Sequence, residues 1–271
     1  KKMPKRNLIT QAMIEKVQAD FDEGLFDYQR TWFKAKNQRS RNILKSRQIG
    51  ATYYFGREAF VDAITGGGNQ IFLSASKAQA HVFKSYIKSF AAESIDLDLQ
   101  GDPIVLNFEE GPPSELIFLG TNAKTAQGFH GNFYFDESFW VHGFQTLQKV
   151  ASGMAMHKRW RKTYFSTPSS KSHEAFNFWT GEIFNKGRPK DKRLNIDVSH
   201  EALKDGRLCE DKIWRQIVTI LDAERGGCDL FDIDELRFEY SAESFANLLM
   251  CMFMDDGHSV FPLSVMQPCM V

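Results

Sequence analysis

From Asn42 onward, short apolar runs of strand length alternate with longer segments whose apolar residues recur at helical spacing. Residues 42–44 read as a buried strand, and 51–64 as the helix after it, stopped by Gly66, Gly67 and Gly68. The run IFLSA over 71–75 is the next strand. Residues 77–92 are a helix carrying Ala80, Phe83, Ile87 and Phe90 along one face. Residues 104–108 and 115–119 flank a turn of Glu, Gly and Pro and read as a hairpin at one edge of a sheet. Further strands are expected at 132–135 and 163–165, with the last at 194–198. A chain that alternates in this way is restricted to an α/β fold with a mostly parallel sheet covered by helices on both faces.

The flanks are different in character. Residues 10–21 have Met13, Ile14, Val17 and Phe21 at helical spacing. Beyond His200, residues 212–224 and 233–250 read as helices less tied to the sheet. The expected organisation is one domain over 1–254, with a core over about 25–200 and a helical lid over 201–254 grouped with the N-terminal helix. Residues 255–271 are expected to be a linker.

Two sequence elements carry chemistry. Lys45-Ser46-Arg47-Gln48-Ile49-Gly50-Ala51-Thr52 follows a strand and opens a helix, the setting in which backbone N–H groups and a helix N-terminus bind phosphate. Its fit to the G-x-x-x-x-G-K-[ST] pattern is partial. Gly50 and Thr52 stand in place, but Ala51 occupies the lysine position and Lys45 that of the first glycine. Lys45 can fold back over the phosphates. Taken alone, the stretch is equally compatible with a polar strand-to-helix turn.

The second element is Asn132-Phe133-Tyr134-Phe135-Asp136-Glu137, an apolar strand ending in an acidic pair. Asp136 is placed to hold Mg2+, and Glu137 to orient and deprotonate an attacking water. Ser166, Thr167 and Pro168 close another strand and could sense a γ-phosphate, although a strand simply stopped by proline looks the same. In Phe26-Asp27-Tyr28-Gln29 the glutamine could read an adenine edge, or the segment is an ordinary helix start.

Together these stretches resemble the large terminase family of tailed phages, most closely its P2-like branch. The resemblance rests on DYQ (27–29), KSRQIGAT (45–52), TAQGFHGNFYFDE (125–137) and FSTP (165–168), in that order. It implies a P-loop NTPase of RecA/ASCE type that hydrolyses ATP with Mg2+ to move double-stranded DNA into a procapsid. By the same resemblance Lys45 takes the phosphate-lysine role and Thr52, with Asp136, the magnesium role. Glu137 is the catalytic glutamate, Ser166 and Thr167 belong to the coupling motif, and Gln29 contacts adenine. The loop residues Ser46, Arg47, Gln48, Ile49, Gly50 and Ala51 line the phosphates. The implied partners are duplex DNA, a small terminase subunit, the capsid portal and further copies in a ring. The implied place of action is the host cytoplasm, docked on a procapsid. Family members carry a C-terminal nuclease, and this sequence stops where such a domain would start, so no nuclease site is expected within it. A helicase-like ATPase and an inactive P-loop adaptor are the competing readings.

Charge and cysteines narrow the partners. Lys plus Arg and Asp plus Glu number 34 each, so no large positive field favours tight DNA binding by one copy. The candidate contacts are the cluster His157-Lys158-Arg159-Trp160-Arg161-Lys162 and the basic start Lys1, Lys2, Lys5 and Arg6. The cluster also reads as a solvated helix end or as the source of a trans-acting arginine. Cys209, Cys228, Cys251 and Cys269 are spaced too irregularly for a zinc site and suit a reduced, intracellular protein. No apolar run approaches the roughly 20 residues of a membrane-spanning helix.

Overall fold

The computed structural model describes residues 6–121 and 128–255. The chain forms two compact units interleaved in sequence. One comprises the segment up to Leu25, Gly50–Asp136 and Val150–Lys162; the other comprises Phe26–Ile49, Glu137–Lys149 and the chain from Thr163.

In the first unit the strands are β1 (Leu8–Ile9), β3 (Gln70–Leu73), β4 (Ile104–Phe108), β5 (Ser114–Leu119) and β6 (Asn132–Asp136). Their order is β1-β4-β5-β3-β6, and only β4 and β5 pair antiparallel. Helices α1 (Gln11–Asp22), α3 (Ala51–Asp62) and α4 (Lys77–Ile95) belong to the same unit. Thr10 caps α1 by accepting the Met13 N–H, and Ser76 caps α4 by accepting that of Gln79. The expected face of α4 is the buried one: Ala80, Phe83, Ile87 and Phe90 are all inside. Phe72 of β3 stacks between Phe118 and Tyr134, with centroids 5.1 and 5.5 Å away. The hairpin is present, but it does not form the sheet edge: β1 pairs with β4 beyond it. A two-residue strand has no periodicity from which to be read.

The second unit holds α2 (Asp27–Lys34) and the strands β2 (Ser40–Lys45), β7 (Lys162–Ser166), β8 (Arg207–Leu208) and β9 (Trp214–Val218), in the order β7-β2-β9-β8. Two expectations are corrected here. Residues 194–198 are not a strand, and the stretch expected to be helical over 212–224 opens with β9, paired parallel to β2 from Arg41↔Trp214 to Lys45↔Val218. All five residues of β9 are buried, so its polar members mark buried bonds and not a wet helix face. Arg215 donates to both Asp211 oxygens at 2.7 Å and to the carbonyls of Trp179 and Phe178. The segment expected as one helix over 233–250 is two, Ile233–Glu239 and Ala242–Leu248, separated by a new cap at Ser241. They pack on a small core of Ile220, Ile233, Phe245 and Leu249.

The Arg215–Asp211 pair is solvent-free, with side-chain exposures of 0% and 5%. Removing one member of such a pair strands the other's charge. Asp211→Ala should therefore lower unfolding free energy by about 3–5 kcal/mol. Chemical denaturation reads this directly, and a loss below about 1 kcal/mol, the range of exposed pairs, would show that the pair is dispensable.

Near the end of the described chain, Met254 lies beside Ser170 in a parallel bridge. The Met254 N–H donates to Ser169 O at 3.0 Å, and the Lys171 N–H donates to Met254 O at 2.9 Å. Buried Asn247 directs its amide to the carbonyls of Pro168, Ser169 and Met252.

Candidate active site

In the second unit, β2 delivers buried Lys45 at its carboxyl end. The turn after it is held at three backbone points. The Ser46 N–H donates to Val218 O at 2.7 Å, the Arg47 N–H donates to Leu248 O at 2.9 Å, and the Tyr28 hydroxyl donates to Ile49 O at 2.7 Å. Two of these amides are thus engaged by protein carbonyls. Arg47 and Gln48 are exposed, Ile49 is buried, and Gln48 has φ 62°. Gln29 is buried, and its carbonyl oxygen accepts the Phe26 N–H at the start of α2.

Lys45 Nζ reaches Glu137 Oε1 at 2.6 Å. The other carboxylate oxygen accepts from Ser166 Oγ at 3.1 Å, Thr167 Oγ1 at 3.0 Å and the Thr167 N–H at 3.2 Å. Glu137 has φ 50°, and its N–H donates to Phe165 O on β7. A non-glycine residue with this backbone conformation is strained, and four hydrogen bonds to the side chain and one from the backbone hold it there. Burial pushes the Glu137 carboxyl up, but the Lys45 ammonium and the Thr167 bonds outweigh it and hold the group below the usual carboxylate range. Glu137 is thus a charged base with one oxygen bound to a cation and the other to hydroxyls. Trp140 Nε1 donates to Thr167 Oγ1 at 2.7 Å and fixes that hydroxyl.

In the first unit, Gly50 has φ 75° and caps α3, so Ala51 and Thr52 open the helix. The first N–H groups of a helix have no intrahelical partner and form a ready site for phosphate. Thr52 Oγ1 donates to Asp136 Oδ2 at 2.9 Å. These are hard oxygen donors from one hydroxyl and one carboxylate, a set that suits Mg2+ shared with phosphate oxygens. No cluster of three or more His, Cys, Asp or Glu able to hold a metal occurs among the described residues, so an all-protein cage is not what this site offers. Behind Asp136, buried Glu58 accepts from the Tyr54 hydroxyl at 2.8 Å and the Tyr134 hydroxyl at 3.2 Å. Tyr134 shares the face of β6 with Asp136. Neither Glu58 nor Trp140 is legible in the sequence, because the contacts that link them to the site, with Tyr134 and Thr167, span 76 and 27 residues.

The cluster over 157–162 is mostly structural. Trp160 is buried, Arg161 pairs with Asp62 at 2.6 Å, Lys162 donates to Ser152, and Arg159 lies over the Trp160 ring. A cleft of about 1230 Å³ opens beside Asn132, Trp160 and residues 66–68. Asn132 begins β6 and Asp136 ends it, so this cleft lies away from the Asp136 chemistry. Lys1, Lys2, Lys5 and residues 125–127 of the TAQGFHGNFYFDE stretch fall outside the described residues.

The sequence matches the family described as "Terminase large subunit, T4likevirus-type, N-terminal" over residues 42–267. The chain belongs to that family. It is 55% identical over 273 residues to the "Terminase, ATPase subunit" of Escherichia phage P2, covering 100% of this chain and 46% of the relative. It is 49% identical over 250 residues to the "Probable terminase, ATPase subunit" of Haemophilus phage HP1, covering 92% of this chain and 40% of the relative. The chain thus spans less than half the length of these curated relatives. Among solved structures, the large terminase of a thermophilic bacteriophage in complex with ADP matches with a TM-score of 0.58 at 11% identity, covering 89% of this chain and 53% of that one. The ATPase domain of the Thermus phage P74-26 large terminase matches with 0.54 at 12% identity, covering 88% and 93%. At these identities the likeness is one of fold, and it agrees with the α/β P-loop architecture expected for this terminase chain.

Proposed function

We propose that this chain is the ATP-hydrolysing motor part of a large terminase and drives translocation of double-stranded DNA into a procapsid. The observation that carries the reading is the Lys45–Glu137–Thr167 set: a buried lysine that ends β2, joined to a charged glutamate just after β6 and a hydroxyl just after β7.

Lys45 can exchange its bond to Glu137 Oε1 for a phosphate oxygen. Glu137 Oε1 is then free to accept the proton of an attacking water, while Oε2 stays held by Ser166 and Thr167. The same exchange makes Lys45 the cation that faces charge building on the transferred group. Thr52 and Asp136 would hold Mg2+, which neutralises phosphate oxygens when bound. The helix-opening amides of Ala51 and Thr52 would receive phosphate, and Gln29, with its carbonyl engaged, would offer its NH2 to adenine. Thr167 and Ser166 report through Glu137 on whether Lys45 is engaged. The intact Lys45–Glu137 pair supports this reading over an inactive adaptor. The absence of a lysine at position 51 does not weaken it, because Lys45 already meets the glutamate.

The proposed partners are duplex DNA, a small terminase subunit, the portal and other copies of the chain arranged as a ring, acting in the host cytoplasm on a procapsid. No helix among the described residues is long and apolar enough to cross a membrane.

Motors of this kind complete the site with an arginine from a neighbouring copy, which is worth about 10³ to 10⁵ in rate. Mg·ATP turnover per subunit should therefore be slow when dilute and climb as protein concentration rises. Fast turnover that stays flat across a wide concentration range would exclude completion in trans.

A further inference from the structure

We propose that the loop over residues 186–193, Lys-Gly-Arg-Pro-Lys-Asp-Lys-Arg, is a surface through which this chain grips the phosphates of duplex DNA. The inference rests on the translocation reading above and assigns it a place on the molecule.

The chain as a whole carries no net charge, yet this stretch of eight residues holds five cations, Lys186, Arg188, Lys190, Lys192 and Arg193, against Asp191 alone. All are exposed. None forms an ion pair with a carboxylate among the described residues, whereas Arg161 of the 157–162 cluster is committed to Asp62. Averaging charge over the sequence hides this local excess.

The loop is also ordered by its own bonds. Buried Asn185 clasps it, donating to Leu194 O at 2.9 Å and accepting the Leu194 N–H at 2.8 Å. Within the clasp the Arg188 N–H donates to Asn185 O, the Lys192 N–H to Pro189 O and the Arg193 N–H to Lys190 O. Arg193 Nε donates to Arg188 O at 2.9 Å, and the Arg188 guanidinium lies over the Phe184 ring at 3.8 Å. The cations are thus presented on a fixed backbone, which reduces the ordering cost of binding.

The composition selects the partner. Protein interfaces are anchored by buried aromatic and aliphatic side chains and are depleted in lysine. Residues 186–193 offer no apolar side chain beyond Pro189. Lysine and arginine without an apolar anchor fit a repeating line of phosphates, contacts that position a protein on DNA without reading its sequence. An acidic face of a second copy would satisfy the same charges. Residues 224–243 expose seven carboxylates and only Arg225 and Arg237, so that alternative is built into the test.

The experiment compares two double variants that remove equal charge, Lys190→Ala with Lys192→Ala and Lys158→Ala with Arg159→Ala, in salt titrations with two unrelated duplexes. The loop variant should bind both duplexes about tenfold more weakly at low salt and lower the slope of log affinity against log salt by about 2, one for each lost phosphate contact. The cluster variant should change affinity less than about twofold, since Lys158 and Arg159 lie outside the proposed surface. Melting temperatures confirm that both fold. Equal losses in the two variants, or a loss confined to the cluster variant, overturn the assignment while leaving DNA binding in place. So does a loop variant that keeps its DNA affinity but loses self-association in sedimentation, which would assign the loop to a second copy. If the parent chain binds neither duplex at low salt, the DNA-working part of the proposed function falls together with this inference.

Discussion

Glu137→Gln should retain nucleotide binding and lose about 10²- to 10⁴-fold in turnover, the span associated with a positioned general base. The amide keeps the size of the carboxylate, and its oxygen can still accept from Ser166 and Thr167, which now hold Oε2. It cannot take a proton from water. It also removes the charge that draws Lys45 at 2.6 Å, so Lys45 is released toward phosphate and nucleotide affinity should be equal or higher. Asp136→Ala is the contrasting variant. It removes the partner of Thr52 and should weaken binding of Mg·ATP itself. Isothermal titration with ATP and magnesium, run beside a phosphate-release assay, separates the two. A matched loss of affinity in both variants would refute this division of labour.

Lys45→Ala should reduce turnover by about 10²- to 10³-fold, the effect of deleting one group that stabilises charge developing in the transition state. The expectation is specific to position 45. Arg47 is the other cation in the loop, but it is exposed and its backbone is tied to Leu248. The lysine is buried and lies on the glutamate. Removing it also takes away the cation that keeps Glu137 ionised, so the variant should lose rate more steeply toward acid pH than the parent. The sign follows from the environment. Burial alone raises a carboxyl, and Lys45 is the main influence opposing it. Turnover measured for Lys45→Ala and Arg47→Ala decides the matter. Activity that survives the first and disappears with the second would move the phosphate-binding charge to Arg47.

The positions of Lys45 and Glu137 could be read in the sequence because both close buried strands, and apolar runs ending in polar residues identify such ends. Their direct pairing could not be read, since 92 residues separate them and only the fold sets the distance. The misreading of β9 has a similar cause. Arg215 and Gln216 gave the segment a polar face at the level of pattern, but Arg215 is satisfied by Asp211 and by carbonyls 36 and 37 residues away. Periodicity registers polarity and not whether a partner awaits it. In the basic run over 157–162 the sequence likewise could not tell exposed cations such as Lys158 from committed ones. The whole run looked available, but Arg161 is paired with Asp62 across nearly 100 residues of sequence, and Trp160 is core.

The parallel bridge between Ser170 and Met254 has a mechanical meaning. Any pull on the chain beyond Asp255 meets the ion pair of Asp255 with Lys171 at 3.6 Å and two hydrogen bonds at Met254, to Ser169 O and from the Lys171 N–H. Those residues follow within a few positions of Thr167, which holds the glutamate. Asn247 shares the load, because one amide grips Pro168, Ser169 and Met252 together. Tension applied from outside is therefore shared between the segment after the strand that orients Glu137 and, through Asn247, the helix Ala242–Leu248 that packs on the small core.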